Sequence, residues 1–182
     1  MLNEKVQPKT KEELFGLIYQ TIAKEGLNCD LNFIDVSNIK DMSFLFSESK
    51  FNGDISKWNV SNVTNMTGMF NHSHFNGDIS NWDVSNVTNM EYMFHCSRFN
   101  GDISNWNVSK VENMRGMFFE SIFFEGDISK WNVSKVRDMS FMFCTTHFNG
   151  DISNWDVSNV EDMEVIFYLC PLENKPPKWY KG

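Results

Sequence analysis

Five aspartates recur in one phase of the chain, Asp54, Asp78, Asp102, Asp127 and Asp151. If the segments carrying them stack, neighbouring carboxylates lie about 5 Å apart and repel, so backbone N–H groups, water or a cation such as calcium must offset them. The simpler reading is that each Asp closes its own turn. Glycoside hydrolysis needs one distinctive carboxylate pair in a cleft, which equivalent aspartates do not provide. His72, His74, His95 and His147 fall in comparable loops on separate segments. They read as surface histidines rather than a tight metal-ligand set. Trp58, Trp82, Trp106, Trp131 and Trp155 could form a sugar-stacking platform, but each is in phase with Ile and Val, which favours a buried ladder. Each indole N–H then needs a partner, which nearby Ser or Asn side chains can supply. Cys29, Cys96, Cys144 and Cys170 differ in phase, which argues for reduced thiols; only Cys144 and Cys170 could adjoin. No Ser-His-Asp, phosphate-loop or His/Glu metal motif occurs. The sequence therefore assigns no catalytic residue, metal ligand or cofactor.

The elements that position these residues follow from a repeat. The tryptophans step by 24, 24, 25 and 24 residues, with Ile34 one step earlier, giving six copies. Within a copy, Ile55, Trp58, Val60 and Val63 are followed by Met66, Met69, Phe70 and Phe75. Trp and Val at i and i+2 predict a short strand. Met, Met and Phe at i, i+3 and i+4 predict a helical turn, with Asn65, Asn89, Asn113, Asp138 and Asp162 as N-caps. Asn-Gly-Asp predicts a turn where glycine permits positive φ. The expected fold is an α/β repeat solenoid, leucine-rich-repeat-like, with one short strand and one short helical turn per coil. A unit this small must stack on its neighbours to bury its apolar face.

Residues 1–29 are expected to form an N-terminal capping helix, 30–170 the repeats and 171–182 a C-terminal cap, all one structural domain. Thr10 and Glu13 form a capping-box signature, Leu14, Leu17, Ile18 and Ile22 an apolar stripe, and Gly26 a stop. Pro171, Pro176 and Pro177 break the repeat, and Trp179-Tyr180 can fold back over the last coil.

Net charge is −8, without the cationic footprint that nucleic acid or anionic lipid requires. No apolar run suits a signal peptide or a membrane span. The expectation is a cytoplasmic monomer with a protein partner of unknown identity, no nucleic acid and no membrane insertion.

The unit F-N-G-D-I-S-x-W-[ND]-V-S-x-V-x-[ND]-M-x-x-M-F resembles the repeat of the BspA-like bacterial surface proteins over residues 30 to about 180. That resemblance implies a leucine-rich-repeat-like fold, binding of host proteins or other cells, and a cell-surface location. Val63, Val87 and Val111 stand where a leucine-rich repeat places asparagine, so Ser61, Asn62 and their equivalents are expected to replace that ladder.

Variation between copies points to the recognition surface, since specificity needs distinct contacts. The Trp-Val stretch is nearly uniform. Diversity follows the Asn/Asp position and fills the next loop. Candidate partner-binding residues are His72, His74, Tyr92, His95, Arg98, Arg115, Phe119, Glu120, Ile122 and His147. The fourth copy carries an extra residue in its Phe118–Phe124 run, which either exposes aromatics or packs them into the core. The expected function is a non-enzymatic protein-interaction module that binds through its helix–loop edge. Alternatives are an intracellular inhibitor or immunity protein neutralising a basic partner and, least favoured, a glycan-active parallel β-helix enzyme.

Overall fold

The computed structural model describes residues 5–181. It contains one α-helix, α1 (Lys11–Glu25), and one 3-10 turn, Pro171–Glu173, among the described residues. No strand forms. Neighbouring coils meet instead at single parallel bridges, running Asp41, Asn65, Asn89, Asn113, Asp138 and Asp162 along one edge. The α/β class with a strand and a helical turn in each coil is thereby overturned.

The reason lies in a shorter pattern inside the 24-residue unit. Asp54-Ile55-Ser56-Lys57-Trp58, Asn59-Val60-Ser61-Asn62-Val63 and Asn65-Met66-Thr67-Gly68-Met69 all read [DN]-apolar-x-x-apolar. In each, the opening Oδ1 accepts the N–H two residues on, at 2.9, 3.2 and 3.0 Å. The closing N–H of Trp58, Val63 or Met69 then donates to the carbonyl of Ile55, Val60 or Met66. Each pentad is thus an Asx-closed β-turn that aims both apolar side chains inward. Asn65 and its equivalents open such turns and cap no helix.

The Met-x-x-Met-Phe stretch is not helical, because its N–H groups point along the stack. Met66, Gly68, Phe70 and His72 donate to the carbonyls of Asn89, Glu91, Met93 and His95 in the next coil, whereas an α-helix would send these bonds four residues back. The intervening Met69, Asn71 and Ser73 close tight turns on Met66, Gly68 and Phe70. Positive φ recurs at the third turn position, at Gly68, His72, Tyr92, Cys96, Gly116 and Glu120. That is the type II requirement, and it costs a non-glycine residue about 1–2 kcal/mol.

Stacking builds the core from aligned columns. Phe70 lies 5.7 Å from Phe94, and Phe94 5.7 Å from Phe118, with interplanar angles of 5° and 6°. Trp58 stacks on Trp82 at 6.4 Å. Each indole N–H donates to a backbone carbonyl of the preceding coil, Leu31, Ile55, Ile79, Ile103 or Ile128, rather than to a Ser or Asn side chain. Outside, Asn62, Asn86 and Asn159 donate to the carbonyls of Ser37, Ser61 and Ser134. The Asn-Gly-Asp glycines have no positive φ. They are needed for space, since a Cβ on Gly77 would sit 2.8 Å from the Phe75 ring.

At one end α1 covers the first coil, with Leu14 and Ile18 buried and Leu17 and Ile22 packed against the core. Thr10 Oγ1 accepts the Glu13 N–H at 3.2 Å, and the Glu13 carboxylate accepts from Lys9 N–H. At the other end Trp179, 24 residues after Trp155, donates to Ile152 O at 2.8 Å and so adds one more rung. All four thiols are free. No helix among the described residues is long and apolar enough to cross a membrane.

Candidate functional site

The exposed turn edge, built by the segments that begin at Met66, Met90, Met114 and Met139, carries most of the variable residues. Successive coils place side chains in columns along it, because alternate N–H groups there bond to carbonyls of the next coil. One column reads Phe44, Gly68, Tyr92, Gly116, Phe141 and Val165. Its aromatics lie over the glycines: a Cβ on Gly68 would meet Phe44 at 2.3 Å, and one on Gly116 would meet Tyr92 at 2.2 Å.

Arg115 ties the middle of this edge together. Its Nε donates to Tyr92 Oη at 3.2 Å and one terminal nitrogen donates to Ser140 Oγ at 2.7 Å. The guanidinium carbon lies 4.9 Å from the Phe141 ring centre, and Nη1 lies 3.8 Å from Asp138 Oδ2. A planar cation shared by two aromatics and a carboxylate is held in one orientation.

Beside it sits a second group. His95 stacks on Phe119 with centroids 4.8 Å apart and 6° between planes, and Tyr92 lies 5.5 Å away. His72 meets His95 edge-on at 4.8 Å. Cys96 Sγ donates to Glu120 Oε2 at 2.9 Å. Burial first, and then the Glu120 carboxylate, push the Cys96 thiol up to about 12. Burial, followed by the neighbouring His72, lowers the pKa of His95. The possible ligand atoms of His72, His95 and Cys96 all lie within 4.8 Å of one another. Histidines that look scattered along the chain are thus neighbours across two coils.

Six of the ten candidate binding residues therefore converge: His72, Tyr92, His95, Arg115, Phe119 and Glu120. His74, Arg98, Ile122 and His147 occupy the following corner, where His74 and Arg98 N–H groups donate to Ser49 O and Ser73 O. The extra residue of the fourth copy is taken up there. Phe118 and Phe124 are fully buried, while Ile122 and Phe123 are 43% and 51% exposed. Phe141, Ser140 and Cys96 also vary between copies but are not among those ten. The signal for Cys96 was the coil step itself, since His72, Cys96 and Glu120 stand 24 residues apart.

The aspartate column is separate. Asp54, Asp78, Asp102, Asp127 and Asp151 each accept the N–H of the serine two residues on, at 2.9 Å. Those serine hydrogen bonds hold the carboxyls below their ordinary pKa.

Two overlapping stretches, residues 18–106 and 74–179, match the family described as Mycoplasma protein of unknown function, DUF285. No curated protein and no solved structure matches the chain.

Proposed function

The chain belongs to this DUF285 family, and we propose that it is a non-enzymatic protein-interaction module that binds its partner through the exposed turn edge. The observation that carries this reading is the Tyr92–Arg115–Phe141 group. It is a preordered aromatic–arginine surface on an otherwise repetitive exterior, and Tyr and Arg are the residue types that anchor interfaces. The resemblance to BspA-like surface proteins supports the same reading. With the helical turns gone, the recognition edge is one of stacked β-turns.

The test is affinity capture with the immobilised chain and with a Tyr92→Ala/Arg98→Ala/Phe119→Ala variant. A protein held by the wild type and lost by the variant supports the edge. Equal retention by both overturns it.

A second reading, inhibition of a basic partner, draws on the exposed column Asp54, Asp78, Asp102, Asp127 and Asp151 in a chain of net charge −8. It requires capture that weakens with salt and on neutralising Asp78, Asp102 and Asp127 together, with the Tyr92–Phe119 edge intact.

A further inference from the structure

We propose that His72, His95 and Cys96 form a site for a borderline-soft divalent ion, Zn2+ by its ligand chemistry. The inference goes beyond the partner-binding reading and does not depend on it. Its basis is positional. Two adjacent columns of the turn edge read Ser47, Asn71, His95, Phe119, Cys144, Tyr168 and Glu48, His72, Cys96, Glu120, Thr145, Leu169. Only at the second and third coils of this edge do imidazoles and a thiol occupy neighbouring positions, and there the ligand atoms come within 4.8 Å of one another. A small rotamer adjustment closes that spread onto one ion with bonds of about 2.0–2.3 Å.

Two nitrogens and a sulfur suit zinc. Calcium and magnesium require oxygen ligands. The cluster is also held in place. His95 is fixed by its stack on Phe119, and backbone bonds join His72 N–H to His95 O and Cys96 N–H to Phe119 O, each at 2.8 Å. His72 is exposed and gives the ion a path from solvent. Three protein ligands leave a fourth tetrahedral position for water. As the ion enters, the Cys96 S–H bond breaks, sulfur bonds to the metal, and the proton passes to the Glu120 carboxylate that already accepts it and then to water. No change of oxidation state is involved.

Zn2+ titration by calorimetry on the whole chain, beside His72→Ala and Cys96→Ser, tests the site. Cys96→Ser keeps a donor for Glu120, and His72 is exposed, so both variants are expected to keep the wild-type unfolding midpoint without metal. The expected result is one Zn2+ per chain, weakened by about 10–100-fold or more in each variant. Co2+ should give a tetrahedral visible spectrum with a thiolate charge-transfer band that Cys96→Ser abolishes. Failure of the wild-type chain to bind Zn2+, affinity unchanged in both variants, or a Co2+ spectrum lacking the thiolate band would each overturn the proposal.

Discussion

Replacing Gly101 by alanine isolates the steric role of the Asn-Gly-Asp glycines. Gly101 has no positive φ, so alanine meets no backbone penalty there. Its Cβ would lie 2.7 and 2.8 Å from two ring carbons of Phe99. Phe99 cannot retreat, being fully buried, 4.4 Å from Phe94 and 6.5 Å from Phe75 in near-parallel stacks. Overpacking of this kind costs about 1–3 kcal/mol, and the stiffer unfolded chain returns about 0.4–1 kcal/mol. The net loss is about 1–2 kcal/mol, or roughly 2–8 °C in Tm for a chain of this length. Urea unfolding followed by tryptophan fluorescence measures it as a fall in midpoint at constant m-value. Phe99→Leu, costly alone, should relieve the clash, so the double variant should be more stable than the sum of the two losses predicts by about 0.5–1 kcal/mol. A neutral or stabilising Gly101→Ala, or strict additivity with Phe99→Leu, would refute the packing argument.

Trp106→Phe keeps an aromatic ring in the column but leaves the Ile79 carbonyl without its 3.1 Å donor. The loss should be about 2–4 kcal/mol, from the orphaned acceptor and the smaller ring, read as a drop in the urea midpoint. The aspartate column sets a pH dependence. A carboxyl whose folded pKa is depressed contributes stability above its unfolded value of about 4, and loses it as pH falls through the folded value. Asn keeps the Oδ1 acceptor that Asn59 and Asn65 use in equivalent turns. Asp78→Asn/Asp102→Asn/Asp127→Asn should therefore keep the turns but be less stable than the wild type near neutrality, and lose less stability on acidification, so that the two proteins converge at low pH. Parallel acid-unfolding curves for the two proteins would contradict that account.

Much of this architecture was legible in the sequence, and the errors have a common physical origin. The step from Trp58 to Trp82 and onward, the inward Ile and Val positions and the capping box of α1 all needed only spacing. The misreading was local. Trp58 and Val60 at i and i+2 fit a strand, and Met66, Met69 and Phe70 fit a helical turn, but both also fit a chain that bends every five residues. What decides between them is where the backbone N–H groups go. That depends on the neighbouring coil and is not written in any one unit. The Asx residue opening each pentad, Asp54, Asn59 or Asn65, was the available clue. The His72–Cys96–Glu120 column follows the same 24-residue step, but its residue type changes from coil to coil, so no repeated letter marks it.

Trp179 gives the last rung its indole hydrogen bond without rebuilding the rest of a unit. Val157, Val160 and Met163 stay only partly buried beneath it. A stack whose stability is a sum of nearest-neighbour interfaces is then unequal at its two ends. The coil at residues 151–170 is held on one side by a full neighbour and on the other by little more than Trp179 and Tyr180, which lie 5.9 and 5.1 Å from Phe167. Among the described residues this is the least covered face of the stack, so amide protection should be lower there than along the Tyr92–Arg115 edge.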